Sequence, residues 1–203
     1  LLVRRSGRRP GNQDTKQSIL ESARTVFAEA GYDKASVRAI AAAAQVDPAL
    51  IHHYFGTKEK LFLAAMNSPI NPAELIPRAM AGPREQAGER LVALVLSVWD
   101  SPAGAAAVAL MRSAMSNEWT ARLMREFVVT QVLRRAVAEL QIDEKEAPVR
   151  TALVATQIGG LAMIRYVLKV EPIASSPPER LVAAIGPAVQ RYLTGELPGV
   201  FEI

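Results

Sequence analysis

The apolar residues of this chain recur every three or four positions almost from end to end, and nowhere do they alternate over a strand-length run. That period suits helices with one buried stripe and leaves nothing to build a sheet, so the chain is read as all-α. Pro and Gly fall between the periodic runs as breaks. "DTKQSILESARTVFAEAGY" starts on Asp/Thr, carries Ile19, Leu20, Ala23, Val26, Phe27 and Ala30 as its apolar stripe, and stops at Gly31. "SVRAIAAAA" follows with Ser36 as N-cap. A short "QVD" then leads into "PALIHHYF", with Asp47 as N-cap and Pro48 at the first helical position. Gly56 ends that run, and Thr57 caps the next, "KEKLFLAAM". Beyond "NSPINP" the spacing predicts helical segments at roughly 84–99, 103–116, 118–140, 146–170 and 178–194.

A chain of 203 residues, 50% hydrophobic, has ample material for a core and length for a small domain joined to a larger one. The Pro-rich stretch around Pro69 and Pro72 is the candidate junction. Charge divides there too: residues 1–60 hold 10 Lys+Arg against 6 Asp+Glu, residues 61–203 hold 14 of each, so the whole net +4 sits in the first third. A basic head on a neutral body suits a polyanion-binding module attached to something else. There is no cysteine, which removes disulfides, thiol nucleophiles and thiolate metal sites and fits a reducing cytoplasm. The weakly polar run "AGAAAVALM" over 103–111 stops at Arg112 and is too short to cross a bilayer, so no membrane partner is expected. The opening "LLVRRSGRRP" has no initiator Met and no apolar signal-type run, and is read as a truncated start rather than a signal peptide.

Two short helices separated by a tight turn, behind a longer one, give the outline of a helix-turn-helix. The first short helix needs small residues where it packs, and Ala41 to Ala44 supply them; Val46 suits an apolar plug in the turn. On the second, Ile51 and Phe55 are four apart and face inward, leaving Pro48, Ala49, Leu50, His52, His53 and Tyr54 on other faces or at the rim. The two histidines, the only ones in the chain, are adjacent and point about 100° apart on a helix, a poor arrangement for chelating one ion. No metal, cofactor or catalytic constellation is expected, and no enzyme. Hydrogen bonding of imidazole to phosphate or a base edge asks less. Arg38 has the fork geometry for guanine, and Ser36 serves first as the N-cap of its helix.

"VFAEAGYDKASVRAIAAAAQVDPALIHHYFGTKEKLF" resembles the N-terminal domain of TetR-type transcriptional regulators, closely over about residues 14–63. The resemblance implies a three-helix DNA-binding domain over 14–63, a basic arm over 1–13, and a larger helical ligand-binding and dimerisation domain over 64–203. It implies DNA contacts from Ser36, Tyr54 and Lys58, and minor-groove contacts from an arm such as "RRSGRRPG". Three positions depart from the family pattern: Gln45 where Gly is common, Leu50 where Thr is frequent, and His52 where Tyr is frequent. A residue other than Gly at 45 either accepts positive φ or shifts the turn.

In the body, Val149, Leu153, Gln157, Gly160, Ile164 and Leu168 recur at helical spacing, as do Leu181, Ile185, Ala188, Val189 and Tyr192. The resemblance implies that such helices pair two subunits, which gives Leu153, Gly160, Ile164, Leu168, Leu181, Ile185, Val189 and Tyr192 as the expected dimer surface. Gly159 and Gly160 lower helix propensity, and close helix approach would compensate. An effector pocket is expected between, drawing on Trp99, Met111, Met115, Trp119, Met124 and Phe127, with Gln157 as a polar handle and Arg112 and Arg165 nearby. The expected function is a ligand-responsive repressor holding a palindromic double-stranded operator as a homodimer and released by a small apolar or amphipathic effector. Movement would pass through residues around 63–80. The alternative is a regulator of the same type without a ligand, or an activator.

Overall fold

Ile19, Ala23 and Phe27 are spaced four apart, and all three are fully buried. They form the seam on which the N-terminal unit is built. The computed structural model describes residues 12–68 and 70–197 and divides into two compact units, one ending at Ser68 and one starting at Pro69. The basic arm expected over 1–13, with Arg4, Arg5, Arg8 and Arg9, lies outside the described residues but for the backbone of its last two positions. Helix α1 spans Asn12–Lys34 but is broken at Gly31, whose φ of 76° and ψ of 163° suit only glycine. α2 (Val37–Ala43), α3 (Pro48–Phe55) and α4 (Lys58–Ala65) complete the unit. Phe27 stacks on Tyr32 at 5.9 Å, and Phe62 meets both rings edge-on, at 4.8 and 5.1 Å. This triad fastens α4 to α1. Arg24 adds a bond from Nε to the carbonyl of Ala65 at 2.7 Å, satisfying a free acceptor at the end of α4. Met66, which falls within the 64–203 stretch expected to form the larger domain, is buried in this unit.

The second unit holds α5 (Pro72–Met80), α6 (Ala87–Trp99), α7 (Gly104–Ser116), α8 (Glu118–Glu126), α9 (Arg134–Leu140), α10 (Ala147–Ala162) and α11 (Pro178–Thr194). A π-helical stretch, Phe127–Leu133, joins α8 to α9, and another, Met163–Leu168, extends α10. Helix α5 was not expected. Asn71 caps it by accepting from the Ala73 N–H, and Pro72 takes its first turn. Pro77 lies inside it, which hid the period. Arg90 holds its far end, donating from Nε to the Ala79 carbonyl at 2.7 Å and from Nη1 to that of Pro83 at 2.9 Å.

α6 and α11 cross in contact at two glycines. A Cβ on Gly88 would stand 2.4 Å from the Gln190 nitrogen and 2.5 Å from the Gly186 oxygen. The Gly88 N–H donates to Oε1 of Gln190 at 2.8 Å. Around this crossing lies the core, with Leu91, Leu96, Val154, Leu161, Leu181 and Val189 among its members. Arg150, buried, ties α10 to α11 by donating to the carbonyl of Tyr192 at 3.0 Å and to Glu146 at 2.7 Å. The stretch Ala147–Leu168 is long and apolar enough to cross a bilayer, although Arg150 and Arg165 mask this in the sequence.

Candidate functional site

Three side-chain caps position the helix-turn-helix. Ser36 Oγ accepts from the Ala39 N–H at 3.0 Å, Asp47 Oδ1 from Ala49 at 2.8 Å, and Thr57 Oγ1 from Lys60 at 3.1 Å. Each satisfies an otherwise unpaired donor at a helix start. Between α2 and α3 the chain turns through Gln45 at φ 55°. The Gln45 N–H bonds the Ala42 carbonyl at 3.2 Å and the Val46 N–H bonds that of Ala41 at 3.0 Å. This is the paired pattern of a Schellman C-cap, which usually carries glycine at the left-handed residue. The turn therefore keeps its hydrogen bonds, and Gln45 accepts the positive φ.

On this frame Ile51 and Phe55 are buried at 2% and 8% exposure, fixing which side of α3 packs inward. Of the small residues on α2, Ala41 and Ala44 are buried, while Ala42 and Ala43 are exposed; Val46 is half-buried. Ser36, Arg38, Ala49, Leu50, His52 and His53 are exposed, and Pro48, Tyr54 and Lys58 are half-buried. His52 Nδ1 lies 3.0 Å from the Gly56 carbonyl oxygen. A carbonyl only accepts, so Nδ1 carries the proton and Nε2 is the atom left for a partner. His53 meets Tyr54 edge-on at 5.4 Å. Lys58 Nζ donates to the Asp33 carbonyl at 3.3 Å and sits 4.6 Å from the centre of the Tyr32 ring. An ammonium has three donors, so this anchorage leaves capacity for an anion.

The second unit encloses an apolar cavity of about 270 Å³. Trp99, Met111, Met124 and Phe127 line it. Met115, Trp119 and Gln157 do not, which corrects the expectation for those three. Met115 stands at the end of α7 and is 65% exposed. Trp119 falls in the first turn of α8. Gln157 is one residue, hence about 100°, away from Ile158, which does reach the cavity. Arg112 and Arg165 are not in its wall either. Sequence reasoning missed the contribution of α5, where Pro72, Leu75 and Ile76 close one side. The Asn71–Pro72 cap was the available signal.

Among the described residues no charged side chain lines the cavity, and the one hydroxyl, that of Thr151, is bonded to the Ala147 carbonyl at 2.6 Å. Trp99 is held from behind. Its ring stacks on Tyr166 at 5.2 Å, and the Tyr166 hydroxyl donates to Asp100 Oδ1 at 2.9 Å. Burial, with that bond to a carboxylate, pushes the Tyr166 phenol up to about 12. Arg165 donates to the carbonyls of Ile173 and Ser176, both at 2.8 Å, and lies 3.6 Å from Asp100. It is a brace, not a pocket residue.

The expected dimer residues divide as well. Leu181 and Val189 are buried at 3% and 0% exposure in the chain's own core against α6, so they are not available to a partner. Leu153, Ile164, Ile185 and Tyr192 are half-buried, Gly160 is exposed, and Leu168 is 58% exposed. Gly159 and Gly160 have nothing among the described residues within 4 Å of where a Cβ would stand, so no described helix approaches them closely. Among the described residues no group of three or more His, Asp or Glu is placed to hold a metal ion.

Two family patterns match the chain: "Tetracyclin repressor-like, C-terminal domain" over residues 85–193 and "Bacterial regulatory proteins, tetR family" over 19–65. The HTH-type transcriptional repressor AcnR of Corynebacterium efficiens is 49% identical over 59 residues, 29% of this chain and 30% of that protein. The chain thus spans less than a third of that repressor's length. The HTH-type transcriptional regulator BetI of Brucella anthropi is 30% identical over 142 residues, 68% of this chain and 73% of that one. A solved TetR-family regulator from Streptomyces coelicolor A3 is 38% identical, with 93% of this chain and 99% of that chain covered and a TM-score of 0.46. With both patterns in chain order on an all-helical fold that starts with a helix-turn-helix, this chain belongs to the TetR family of DNA-binding transcriptional regulators.

Proposed function

We propose that the chain is a repressor that binds a roughly palindromic operator as a homodimer in the cytoplasm and is released by a small apolar or amphipathic effector. The observation that carries the effector reading is the largely enclosed cavity with no charged wall and Trp99 at its edge. DNA contact falls to Ser36, Arg38, Pro48, Ala49, Leu50, His52, His53, Tyr54 and Lys58, exposed or half-buried on and beside α3. The DNA-reading role is assigned to the unit ending at Ser68, because α4 runs on to Ala65 beyond the expected limit at 63.

Pairing through α10 is supported by its surface. Most residues of Ala147–Leu168 are half-buried rather than buried, and Leu168 is exposed, which leaves this apolar helix surface for a partner. Gly160, with open space where its Cβ would be, allows a partner helix to come close. A two-fold dimer presents two recognition helices to successive major grooves, which supplies the specificity one copy lacks. Effector binding shifts the dimer between two states, and a coupling of about 1–3 kcal/mol changes operator affinity roughly 5–150-fold.

The test is selection of binding sites from random double-stranded DNA with the whole chain, at two salt concentrations. A palindromic motif, lost with Arg38→Ala and His52→Ala, is expected; binding with no motif overturns the operator reading. A second reading, a regulator without an effector, is favoured by cavity size, since 270 Å³ lies just under the usual range of about 300–1,000 Å³. Trp99 emission that ignores a panel of apolar compounds would decide for it.

A further inference from the structure

An open groove of about 910 Å³ lies on the second unit beside the enclosed cavity, between α8–α9 and α10. The two share a wall. Met124, Val128, Leu133, Thr151 and Ala155 line both. The π-helical stretch distributes its side chains over this divide: Phe127 lines only the cavity, Val128 both, and Val129 only the groove, where it is 41% exposed. π-helical turns are rare and concentrate at functional sites. Three of the five shared residues are Met, Val and Leu, whose side chains move by rotamer change, and the two from α10 are small.

We infer that cavity and groove are two chambers of one site, taking an unbranched single-chain amphiphile whose apolar end is enclosed and whose polar end stays in the groove. This rests on the effector reading above and extends it. Among its described lining residues the inner chamber has no charged group, and its one hydroxyl, Thr151, donates to the Ala147 carbonyl, so the hydrocarbon end belongs there. The groove is where charge is in reach, with Arg125, Arg134 and Glu144 in its lining. The inner 270 Å³ holds about nine methylene-sized groups, at roughly 30 Å³ for a group the size of water. A longer chain must pass the shared wall. The groove is not the pairing surface proposed for α10: its residues Ala147, Thr151 and Ala155 lie across the helix from Leu153, Gly160 and Ile164.

The experiment uses the whole chain carrying Trp119→Phe, which leaves Trp99 as its one tryptophan. 1-Hexanol to 1-dodecanol are titrated one carbon at a time, reading Trp99 emission. Two chambers predict that affinity rises about fourfold per carbon past nine and on to twelve. Ala152→Leu and Ala121→Leu, two positions that line only the groove from opposite sides, are expected to flatten the series beyond nine carbons while 1-hexanol binds as before. A plateau at nine carbons in the parent, or unaltered gain in both variants, overturns the two-chamber site and leaves the inner chamber standing. Trp99 emission that responds to no alcohol, 1-hexanol included, removes the effector reading itself.

Discussion

Gly88→Ala adds one methyl group where two helices touch. The new Cβ would stand 2.4 Å from the Gln190 nitrogen, 2.5 Å from the Gly186 oxygen and 2.7 Å from the Gln190 Cα. All three are backbone atoms, so no rotamer change relieves the contact. Carbon atoms settle near 3.5–4.0 Å, so α6 and α11 must part by about 1 Å along this line. Overpacking of this kind costs about 1–3 kcal/mol, and parting also stretches the 2.8 Å bond from Gly88 to Gln190, worth about 1 kcal/mol. The gain in helix propensity from Gly to Ala is at most about 1 kcal/mol. The net effect is a loss of about 1–3 kcal/mol, against a typical total of about 5–15. Trp99 and Trp119 both lie in the affected unit, so urea unfolding followed by tryptophan emission reports on it directly. Gly159→Ala is the control. There a Cβ meets nothing within 4 Å, so the same chemical change is expected to be neutral or stabilising by up to about 1 kcal/mol. If Gly88→Ala proved as harmless as Gly159→Ala, the close crossing of α6 and α11 would be refuted.

Gln45→Gly removes a left-handed strain of about 1–2 kcal/mol but frees the unfolded chain by about 0.4–1, so the N-terminal unit gains about 1 kcal/mol. Slower amide exchange in α2 and α3 would register it; faster exchange contradicts the Schellman turn. Lys58→Ala is expected to weaken binding to all DNA sequences alike and lower the salt slope by about 1, measured by anisotropy at several salt concentrations. An unchanged slope removes Lys58 from the phosphate contacts. Tyr166 ionises near pH 10 when unfolded but near 12 when folded, so the folded chain holds the proton longer. Its contribution is complete below pH 10 and lost as pH climbs towards 12, and Tyr166→Phe should flatten that alkaline decline in urea stability. Leu168→Glu places a charge on a residue 58% exposed in the single chain, so the fold should hold within about 0.5 kcal/mol while the proposed dimer dissociates in sedimentation. A dimer unaffected by it moves the interface off the end of α10.

What was legible in the sequence, and what was not, follows from the range over which each interaction acts. Ser36, Asp47 and Thr57 cap helices within two or three residues of themselves, so a local pattern was enough to place them. Gln45 left two options because a lone residue cannot reveal whether its turn tolerates positive φ; the bonds from Gln45 and Val46 back into α2 decide it. Helix α5 was hidden by Pro77, although a proline at that depth removes only one N–H from the ladder and Asn71 and Arg90 hold the two ends. The stripe on α11 shows a different limit. Its period correctly signals that Leu181 and Val189 are buried, but a period says nothing about what buries them, and here it is α6 of the same chain. The glycines carry the point furthest. Gly88, Gly159 and Gly160 are all helical, yet only Gly88 is wedged between backbones. What the other two leave open is space beside α10, on the cavity side for Gly159 and outward for Gly160, and the two proposals made for this unit, a ligand and a second copy, are the occupants that such space suits.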